Sequence, residues 1–257
     1  MDRLYRIETR GRVRSALERD GAWHELDGDP FGEYRPGAAL DPVAFRLLAP
    51  VMPSKIVAVG LNYRDHAKEM GKALPKEPLI FLKPPSAVIG PKSRIMIPPG
   101  AGRVDHEAEV GIVIGRRARA VRASDARDYV LGLTCVNDVT DRDIQKRDVQ
   151  YTRAKGFDTF APIGPAIAVG LDGAALQVGS SVNGITRQAS TTREMIFPLD
   201  RLVEFVTHVM TLLPGDIIAT GTPPGVGPIA PGDRVVVSVE GVGELANDVV
   251  AGAPAAG

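Results

Sequence analysis

Glycine and proline recur along the whole chain, and their frequency limits what it can fold into more than any other feature. The 257 residues include 28 glycines and 21 prolines, spread throughout. Proline removes a backbone donor and glycine weakens helices, so these residues tend to end regular elements. Many short segments bounded by turns are typical of β-structure. We therefore predict a β-rich α+β fold with few long helices.

Apolar runs between these breakers predict the individual elements. Strand-like runs lie at residues 4–7, 13–17, 56–60, 79–82, 110–114, 129–136, 234–239 and 245–250. Asn183-Gly184 predicts a tight hairpin, because both residues tolerate the positive φ angles of a type I′ turn. Apolar positions at helical spacing across residues 198–213 predict the clearest helix. A short polar helix is expected at residues 63–70.

The chain is predicted to consist of a small N-terminal unit and a larger catalytic domain. Residues 1–52 hold two of the strand-like runs and end in a proline-bounded stretch, which we take as the boundary. The main domain then spans residues 53–257. This length suits one large domain with a small appendage.

Charge and cysteine content exclude several functional classes. The 31 basic residues balance the 31 acidic ones, whereas a nucleic-acid-binding protein usually shows a basic excess. No apolar run approaches the roughly 20 residues that a membrane span requires. The single cysteine, Cys135, allows no intramolecular disulfide. We therefore expect a cytoplasmic protein that binds neither nucleic acid nor membrane.

Glu107 and Glu109 are the first candidates for a metal site. They precede an apolar run, and if that strand begins at or before Glu107, both carboxylates point to one face. Two such carboxylates repel each other unless a proton, a basic partner or a cation offsets the repulsion. His106 should then point to the opposite face, so it is not counted as a ligand. Two solvated glutamates on an edge strand are the alternative from spacing alone.

Asp138 could supply a third carboxylate, because it follows the end of the apolar run at 129–136. The alternative is a turn or helix-capping aspartate. An all-oxygen cluster favours a hard ion such as Mg²⁺, Mn²⁺ or Ca²⁺ over zinc.

His66 and Glu69 form a candidate acid–base pair. On a helix they are i, i+3 neighbours and can touch. A carboxylate beside an imidazole fixes its tautomer and supports its charged form, as a general base requires. Gly60 and Gly71 flank the segment and would let it move as a lid. A surface pair on a solvated helix is the alternative.

Other polar residues are candidates for binding a substrate. Arg142, Gln145 and Lys155 could donate to a carboxylate or an enolate, with ordinary surface charge as the alternative. The glycine- and proline-rich loop at residues 220–227 lacks the lysine of a phosphate-binding P-loop. Its backbone N–H groups could still bind an anion.

Six segments in this order resemble the fumarylacetoacetate hydrolase family, over roughly residues 55–250. They are Gly60-Leu61-Asn62-Tyr63 with His66 and Glu69; His106-Glu107-Ala108-Glu109 with the strand that follows; Asn137-Asp138-Val139-Thr140 with Arg142 and Gln145; Lys155-Gly156-Phe157-Asp158 with Pro162; Val182-Asn183-Gly184 with Arg187 and Gln188; and Leu213-Pro214-Gly215-Asp216 with Thr220-Gly221-Thr222-Pro223.

The resemblance implies a mixed β-sandwich roll, usually a homodimer, that carries one Mg²⁺ or Mn²⁺. It also implies a role for each matching residue. The metal ligands are Glu107, Glu109 and Asp138; the catalytic residues are His66, Glu69 and Lys155; and the substrate-binding residues are Arg142, Gln145 and Thr222.

The function that this resemblance implies is metal-dependent chemistry on small 2-oxo or enol (di)carboxylic acids. The expected reaction breaks a C–C bond through a metal-stabilised enolate, as in acylpyruvate hydrolysis or decarboxylation. An isomerase or decarboxylase of 2-hydroxymuconate-type diacids in aromatic catabolism is the second possibility. A non-catalytic protein that binds 2-oxo acids is the third.

Overall fold

The computed structural model describes residues 1–253, and twenty strands, four α-helices and four short 3-10 helices lie in that range. The strands are β1 (Asp2–Thr9), β2 (Arg12–Arg19), β3 (Ala22–Gly28), β4 (Tyr34–Ala39), β5 (Arg46–Leu47), β6 (Ile56–Gly60), β7 (Leu79–Lys83), β8 (Val88–Ile89), β9 (Arg94–Ile97), β10 (Val104–His106), β11 (Ala108–Ile114), β12 (Val130–Asn137), β13 (Thr140–Asp141), β14 (Ala161–Val169), β15 (Gln177–Val182), β16 (Ile185–Thr191), β17 (Ile217–Ala219), β18 (Gly227–Pro228), β19 (Arg234–Val239) and β20 (Gly243–Ala251). The helices are α1 (Arg64–Glu69), α2 (Arg142–Arg147), α3 (Thr152–Lys155) and α4 (Leu199–Val209). The predicted β-rich fold is confirmed.

The strands form one large sheet and two smaller ones. The large sheet runs β4-β3-β2-β1-β14-β12-β11-β17-β6-β7, with β5 beside β1 and β8 beside β14. A five-stranded sheet has the order β16-β15-β19-β20-β9, and a three-stranded sheet has the order β13-β10-β18. Most pairs are antiparallel, whereas β17 and β6 run parallel, as do β20 and β9. The sheets are therefore mixed, as predicted.

The main hydrophobic core lies between the large sheet and the five-stranded sheet. Val110 and Ile112 of β11 pack in one buried cluster with Val178 of β15 and Val237 of β19. The inward positions alternate along each strand, because successive side chains of a strand point to opposite faces. Two sheets that share such a core form a β-sandwich, in agreement with the predicted roll.

Helix α4 covers one end of this core through Leu202, Val203 and Val206. It ends before the predicted limit of residue 213. Met210 has an extended conformation, with φ −143° and ψ 154°, and Leu212 forms an isolated bridge with Ala118. The chain beyond Val209 thus continues in an extended conformation and buries Leu212, whereas Leu213 is exposed. Periodicity alone does not distinguish this arrangement from a longer helix.

The N-terminal strands join the large sheet. β1 pairs with β14, with Arg3 opposite Ala168 and Leu4 opposite Ile167. Leu4 and Leu17 are buried in a second core on the other side of the large sheet. The division into residues 1–52 and 53–257 stays a prediction.

The predicted hairpin at Asn183-Gly184 is present between β15 and β16. Val182 lies opposite Ile185, and the two turn residues have φ angles of 52° and 78°. Both positive angles agree with the type I′ turn that the dipeptide predicts. Within residues 1–253, no helix is at once long enough and apolar enough to cross a lipid bilayer.

Candidate active site

A cavity of about 740 Å³ lies where several strands of the large sheet end. All nine residues predicted for the site line it: His66, Glu69, Glu107, Glu109, Asp138, Arg142, Gln145, Lys155 and Thr222. Apolar side chains, including Leu79, Phe81 and Tyr151, complete the wall. The nine predicted residues come from five separate stretches of sequence, so the fold brings them together. Their individual roles remain predictions.

The three carboxylates are held by two adjacent strands. Glu107 lies between β10 and β11, Glu109 lies in β11, and Asp138 directly follows β12. Ala108 pairs with Asn137, and the Asp138 N–H donates to the Glu107 carbonyl over 2.9 Å. One oxygen from each carboxylate lies within 4.8 Å of the others, and all three residues are buried. Glu107 and Glu109, two positions apart, thus point to the same side, as strand spacing predicts.

Lys155 contacts two of these carboxylates. Its ammonium donates to Glu107 Oε2 over 2.9 Å, to Asp138 Oδ2 over 2.6 Å and to Thr140 Oγ1 over 2.7 Å. Burial opposes its charge, but Asp138 and Glu107 outweigh that effect and raise the pKa of Lys155. The lysine is therefore a fixed cation at the floor of the cavity.

Lys83 is a second buried cation that the sequence did not identify. It ends β7, one residue beyond the predicted run, and donates to Asp138 Oδ1 over 2.5 Å and to the Val139 carbonyl over 3.3 Å. Complete burial lowers the pKa of Lys83, although Asp138 works in the opposite direction. A lone lysine at the end of an apolar strand gives no sequence signal that it points inward, and Lys83 is the only buried residue of β7.

Arg142 links the carboxylates to the outer part of the cavity. Its Nη2 donates to Glu107 Oε1 over 2.6 Å, its Nε to Asp105 Oδ2 over 2.8 Å, and its Nη1 to Gln145 Oε1 over 2.9 Å. Among the contacts of residues 1–253, three of its five N–H donors are used, so two remain for a ligand. Gln145 Oε1 accepts from Arg142, and the Gln145 Nε2 group donates to no group in that range. Sequence reasoning also missed the buried Asp105 that anchors Arg142.

Charge is distributed unequally over the carboxylates. Burial raises the pKa of Glu107, but Lys155 and Arg142 outweigh burial and hold it well below its usual range. Burial, together with Asp138 and Glu107, raises the pKa of Glu109 well above its usual value. Within residues 1–253 no lysine or arginine forms an ion pair with Glu109, whose Oε2 accepts from the Gly221 N–H over 2.9 Å. Glu109 is thus the carboxylate that most needs a cation.

The three carboxylates fit a divalent metal ion. They offer oxygen ligands only, which selects a hard ion such as Mg²⁺ or Mn²⁺. Their formal charge is balanced by Lys83, Lys155 and Arg142, so a bound dication would give the cluster a net positive charge that favours an anionic ligand. His106 lies outside the cluster, with its Nδ1 3.3 Å from Ser180 Oγ, as its exclusion from the ligands predicts.

His66 and Glu69 form the predicted pair on α1. His66 Nδ1 lies 2.8 Å from Glu69 Oε2, and Glu69 Oε1 accepts from the Gly225 N–H over 3.2 Å. The carboxylate therefore orients the ring and leaves His66 Nε2 as the nitrogen that can meet a ligand.

Thr222 lies in the loop after β17, and its hydroxyl is already engaged. The hydroxyl donates to the Ala108 carbonyl over 2.9 Å and accepts from Gln188 Nε2 over 2.8 Å. Gln188 is a third residue to which sequence reasoning assigned no role, although it lies in one of the six matching segments.

The fold and the carboxylate cluster define a β-sandwich protein with a buried all-oxygen cluster that could hold a metal ion. Residues 55–250 match the fumarylacetoacetate (FAA) hydrolase C-terminal family, and the chain belongs to this family. The sequence-based family assignment and the prediction of an enzyme are confirmed.

Named relatives within the family have different activities. A 5-carboxymethyl-2-hydroxymuconate delta-isomerase from Mycobacterium smegmatis is 45% identical, with a TM-score of 0.91 over 97% of this chain and 100% of that structure. A mitochondrial oxaloacetate tautomerase from Bos taurus is 43% identical over 217 residues, 79% of this chain and 69% of the relative. A maleylpyruvate hydrolase from Sphingobium, solved with manganese(II) and pyruvate, is 31% identical, with a TM-score of 0.81 over 98% of this chain and 100% of that structure.

Proposed function

We propose that this protein is a Mg²⁺- or Mn²⁺-dependent enzyme that acts on small 2-oxo or enol acids by way of an enolate. The observation that carries the proposal is a single cavity that holds both the carboxylate cluster and the His66–Glu69 pair. An oxygen-ligand metal site beside a general base suits the removal of a proton next to a 2-oxo group. Manganese and pyruvate in the related hydrolase structure support this choice of ion and substrate class.

The predicted ligands are Glu107, Glu109 and Asp138. An ion held by them would act as a Lewis acid toward the 2-oxo group of the substrate. Lys155 lies against the same carboxylates and would stabilise negative charge that develops on the substrate oxygen. The two unused N–H groups of Arg142 and the Nε2 of Gln145 would hold the substrate carboxylate.

His66 would move the proton. Its Nδ1 is held by Glu69, so Nε2 can take a proton from the substrate carbon or enol and return it to another position. The same nitrogen could instead activate water for hydrolysis. Both reactions need an imidazole of fixed orientation above the bound acid, and Glu69 provides that orientation through its bond to the Gly225 N–H.

Proton transfer without C–C cleavage is the second candidate reaction, and similarity favours it. The isomerase and the tautomerase are 45% and 43% identical to this chain, against 31% for the hydrolase. Hydrolysis or decarboxylation, the sequence-based expectation, uses the same groups with an added water or with loss of carbon dioxide. The homodimer remains a prediction.

The test is a turnover screen with Mg²⁺ or Mn²⁺ over three substrates: an acylpyruvate, oxaloacetate and a 2-hydroxymuconate-type diacid. We expect turnover of at least one substrate that disappears on chelation and returns when the ion is restored. Turnover that is unaffected by exhaustive chelation contradicts the proposal.

A matched pair of variants distinguishes the loss of the metal site from a general loss of stability. Asp138→Asn removes a predicted ligand, whereas Asp216→Asn removes another buried carboxylate, which bonds Lys55, Ser54 and the Leu213 N–H away from the cavity. We expect the first to abolish metal-dependent turnover and the second to lower the melting temperature while the folded fraction stays active.

A further inference from the structure

The large sheet opens at the cavity, between β11 and the loop that follows β17. The register of this pair places Gly111 opposite Ala219, and the Thr220 N–H donates to the Val110 carbonyl over 3.0 Å. If the antiparallel ladder continued, the Thr222 N–H would be the next to donate, to the carbonyl of Ala108. It does not: the Thr222 hydroxyl, and not its N–H, donates to that carbonyl, at 2.9 Å.

The side-chain amide of Gln188 fills the gap between the separated strands. Its Oε1 accepts from the Ala108 N–H over 2.9 Å, and its Nε2 donates to Thr222 Oγ1 and to the Pro223 carbonyl, each over 2.8 Å. Ser180 Oγ donates to the remaining lone pair of Oε1 over 3.0 Å. The buried amide thus uses its full hydrogen-bonding capacity and acts as an inserted peptide group.

This arrangement decides which donor Thr222 can offer to a ligand. The hydroxyl proton is committed to Ala108, and the hydroxyl oxygen accepts from Gln188. The backbone N–H of Thr222, by contrast, donates to no group of residues 1–253. Thr222 is buried and lines the cavity, and buried N–H groups without a partner are rare in proteins. A ligand in the cavity would satisfy this donor.

Neighbouring contacts hold the loop at a defined distance from the carboxylates. The Gly221 N–H donates to Glu109 Oε2, and the Gly225 N–H donates to Glu69 Oε1. Gly225 approaches the Gln188 strand so closely that an added Cβ would lie 2.1 Å from the Arg187 carbonyl. The loop is therefore fixed to the predicted metal ligand on one side and to the predicted base pair on the other.

We propose that Thr222 binds the substrate carboxylate through its backbone N–H and not through its hydroxyl, and that Gln188 is the positioning residue that keeps this N–H free. The proposal rests on the proposed function, and it adds the Thr222 N–H to the donors that Arg142 and Gln145 would offer the substrate carboxylate there. A carboxylate is the matching group, because backbone N–H donors bind anions well and the adjoining cations favour a negative ligand.

The first experiment removes the N–H alone. Nonsense suppression can place the α-hydroxy analogue of threonine at position 222, which replaces the N–H by an ester oxygen and keeps the side chain. Pyruvate binding to the Mn²⁺-loaded protein is measured by calorimetry. We expect affinity to fall roughly 10- to 100-fold, the size typical of a hydrogen bond to a charged group. Unchanged affinity would overturn the proposal.

The second experiment asks whether Gln188 and the hydroxyl act as one unit. Thr222→Val and Gln188→Leu should each weaken pyruvate binding about tenfold, and the double variant should bind no worse than either. Thr222→Ser keeps the hydroxyl and should bind as the wild type does. Additive losses would show that Gln188 does not act through Thr222. A loss in Thr222→Val with none in Gln188→Leu would show that the hydroxyl itself binds pyruvate, and either result would overturn the proposal.

Asn247→Leu controls for the loss of a buried amide. Asn247 bridges the carbonyls of Gly90 and Ser93 at 2.9 and 2.8 Å, away from the cavity. Its replacement should lower the melting temperature without changing pyruvate affinity, and an equal loss of affinity in this variant would also overturn the proposal. If the wild-type protein with Mn²⁺ binds no pyruvate, the proposed function itself fails, together with this inference.

Discussion

Replacement of Lys83 by methionine tests whether this lysine neutralises the carboxylate cluster. Lys83 is fully buried and donates to Asp138 Oδ1 at 2.5 Å, while Lys155 holds the other oxygen at 2.6 Å. Removing one partner of a buried ion pair costs about 3–5 kcal/mol. Here the remaining lysine still pairs with Asp138, and the variant no longer buries an ammonium. We therefore expect a loss of about 2–3 kcal/mol, at or below the lower limit of that range.

The assay is thermal unfolding with and without Mn²⁺. For a chain of this size, the expected loss corresponds to a fall of about 4–12 °C in melting temperature under chelation. The variant leaves one more uncompensated negative charge in the cluster, so it should bind Mn²⁺ more tightly than the wild type. Saturation with the ion adds about 2.7 kcal/mol at 100 times Kd. The difference in melting temperature between variant and wild type should therefore shrink when Mn²⁺ is present.

Lys55→Met is the matched control. Lys55 also donates to a buried carboxylate, Asp216, over 2.5 Å, but this pair lies outside the cavity. Its effect on melting temperature should be the same with and without Mn²⁺. A Lys83→Met variant whose deficit is unchanged by Mn²⁺, or whose affinity for Mn²⁺ falls, would refute the proposed role of Lys83.

Three further predictions concern other parts of the cavity. Because the pKa of Glu109 is raised in the folded chain, this group contributes stability at low pH and loses that contribution as pH rises through its pKa. Mn²⁺ would take the place of the proton, so the increase in melting temperature on adding Mn²⁺ should grow with pH. An increase that does not depend on pH would count against this role of Glu109. His66→Ala should lower kcat by roughly 10²- to 10⁴-fold, and Glu69→Gln by less, with little change in Mn²⁺ affinity; near-normal turnover in both would reject the pair. Gly221→Ala should lower the melting temperature by several degrees, because Gly221 has φ +90° and an added Cβ would lie 2.8 Å from Asn62 Cβ. An unchanged melting temperature would contradict this.

Local patterns predicted the elements well where the signal lies within a few residues. The hairpin at Asn183-Gly184 and the shared face of Glu107 and Glu109 follow from turn chemistry and strand periodicity. The C-terminal limit of α4 was less well predicted, because the chain after Val209 is extended and still buries an apolar residue, Leu212.

Contacts between distant segments could not be predicted from the residues alone. Gln188 contacts Ala108 across 80 positions and Thr222 across 34. Lys83 reaches Asp138 across 55 positions, and its inward direction depends on how β7 lies at the edge of the sheet. Residue type and spacing give no measure of such distances. Strand spacing alone related Glu107 to Glu109, and the family resemblance added Asp138, Arg142 and Lys155, whereas Lys83, Asp105 and Gln188 had no role assigned from the sequence.

Neutralisation of the carboxylates by Lys83, Lys155 and Arg142 makes folding and ion loading separable events. An acidic cluster without such partners resists burial until a cation arrives, and folding then depends on the metal. In this chain lysine and arginine side chains supply the neutralising charge, so folding does not need the metal ion. We therefore expect the folded protein to bind and release the ion reversibly. Turnover would then follow the free concentration of the divalent ion around the protein, and the identity of the ion would depend on supply as much as on affinity.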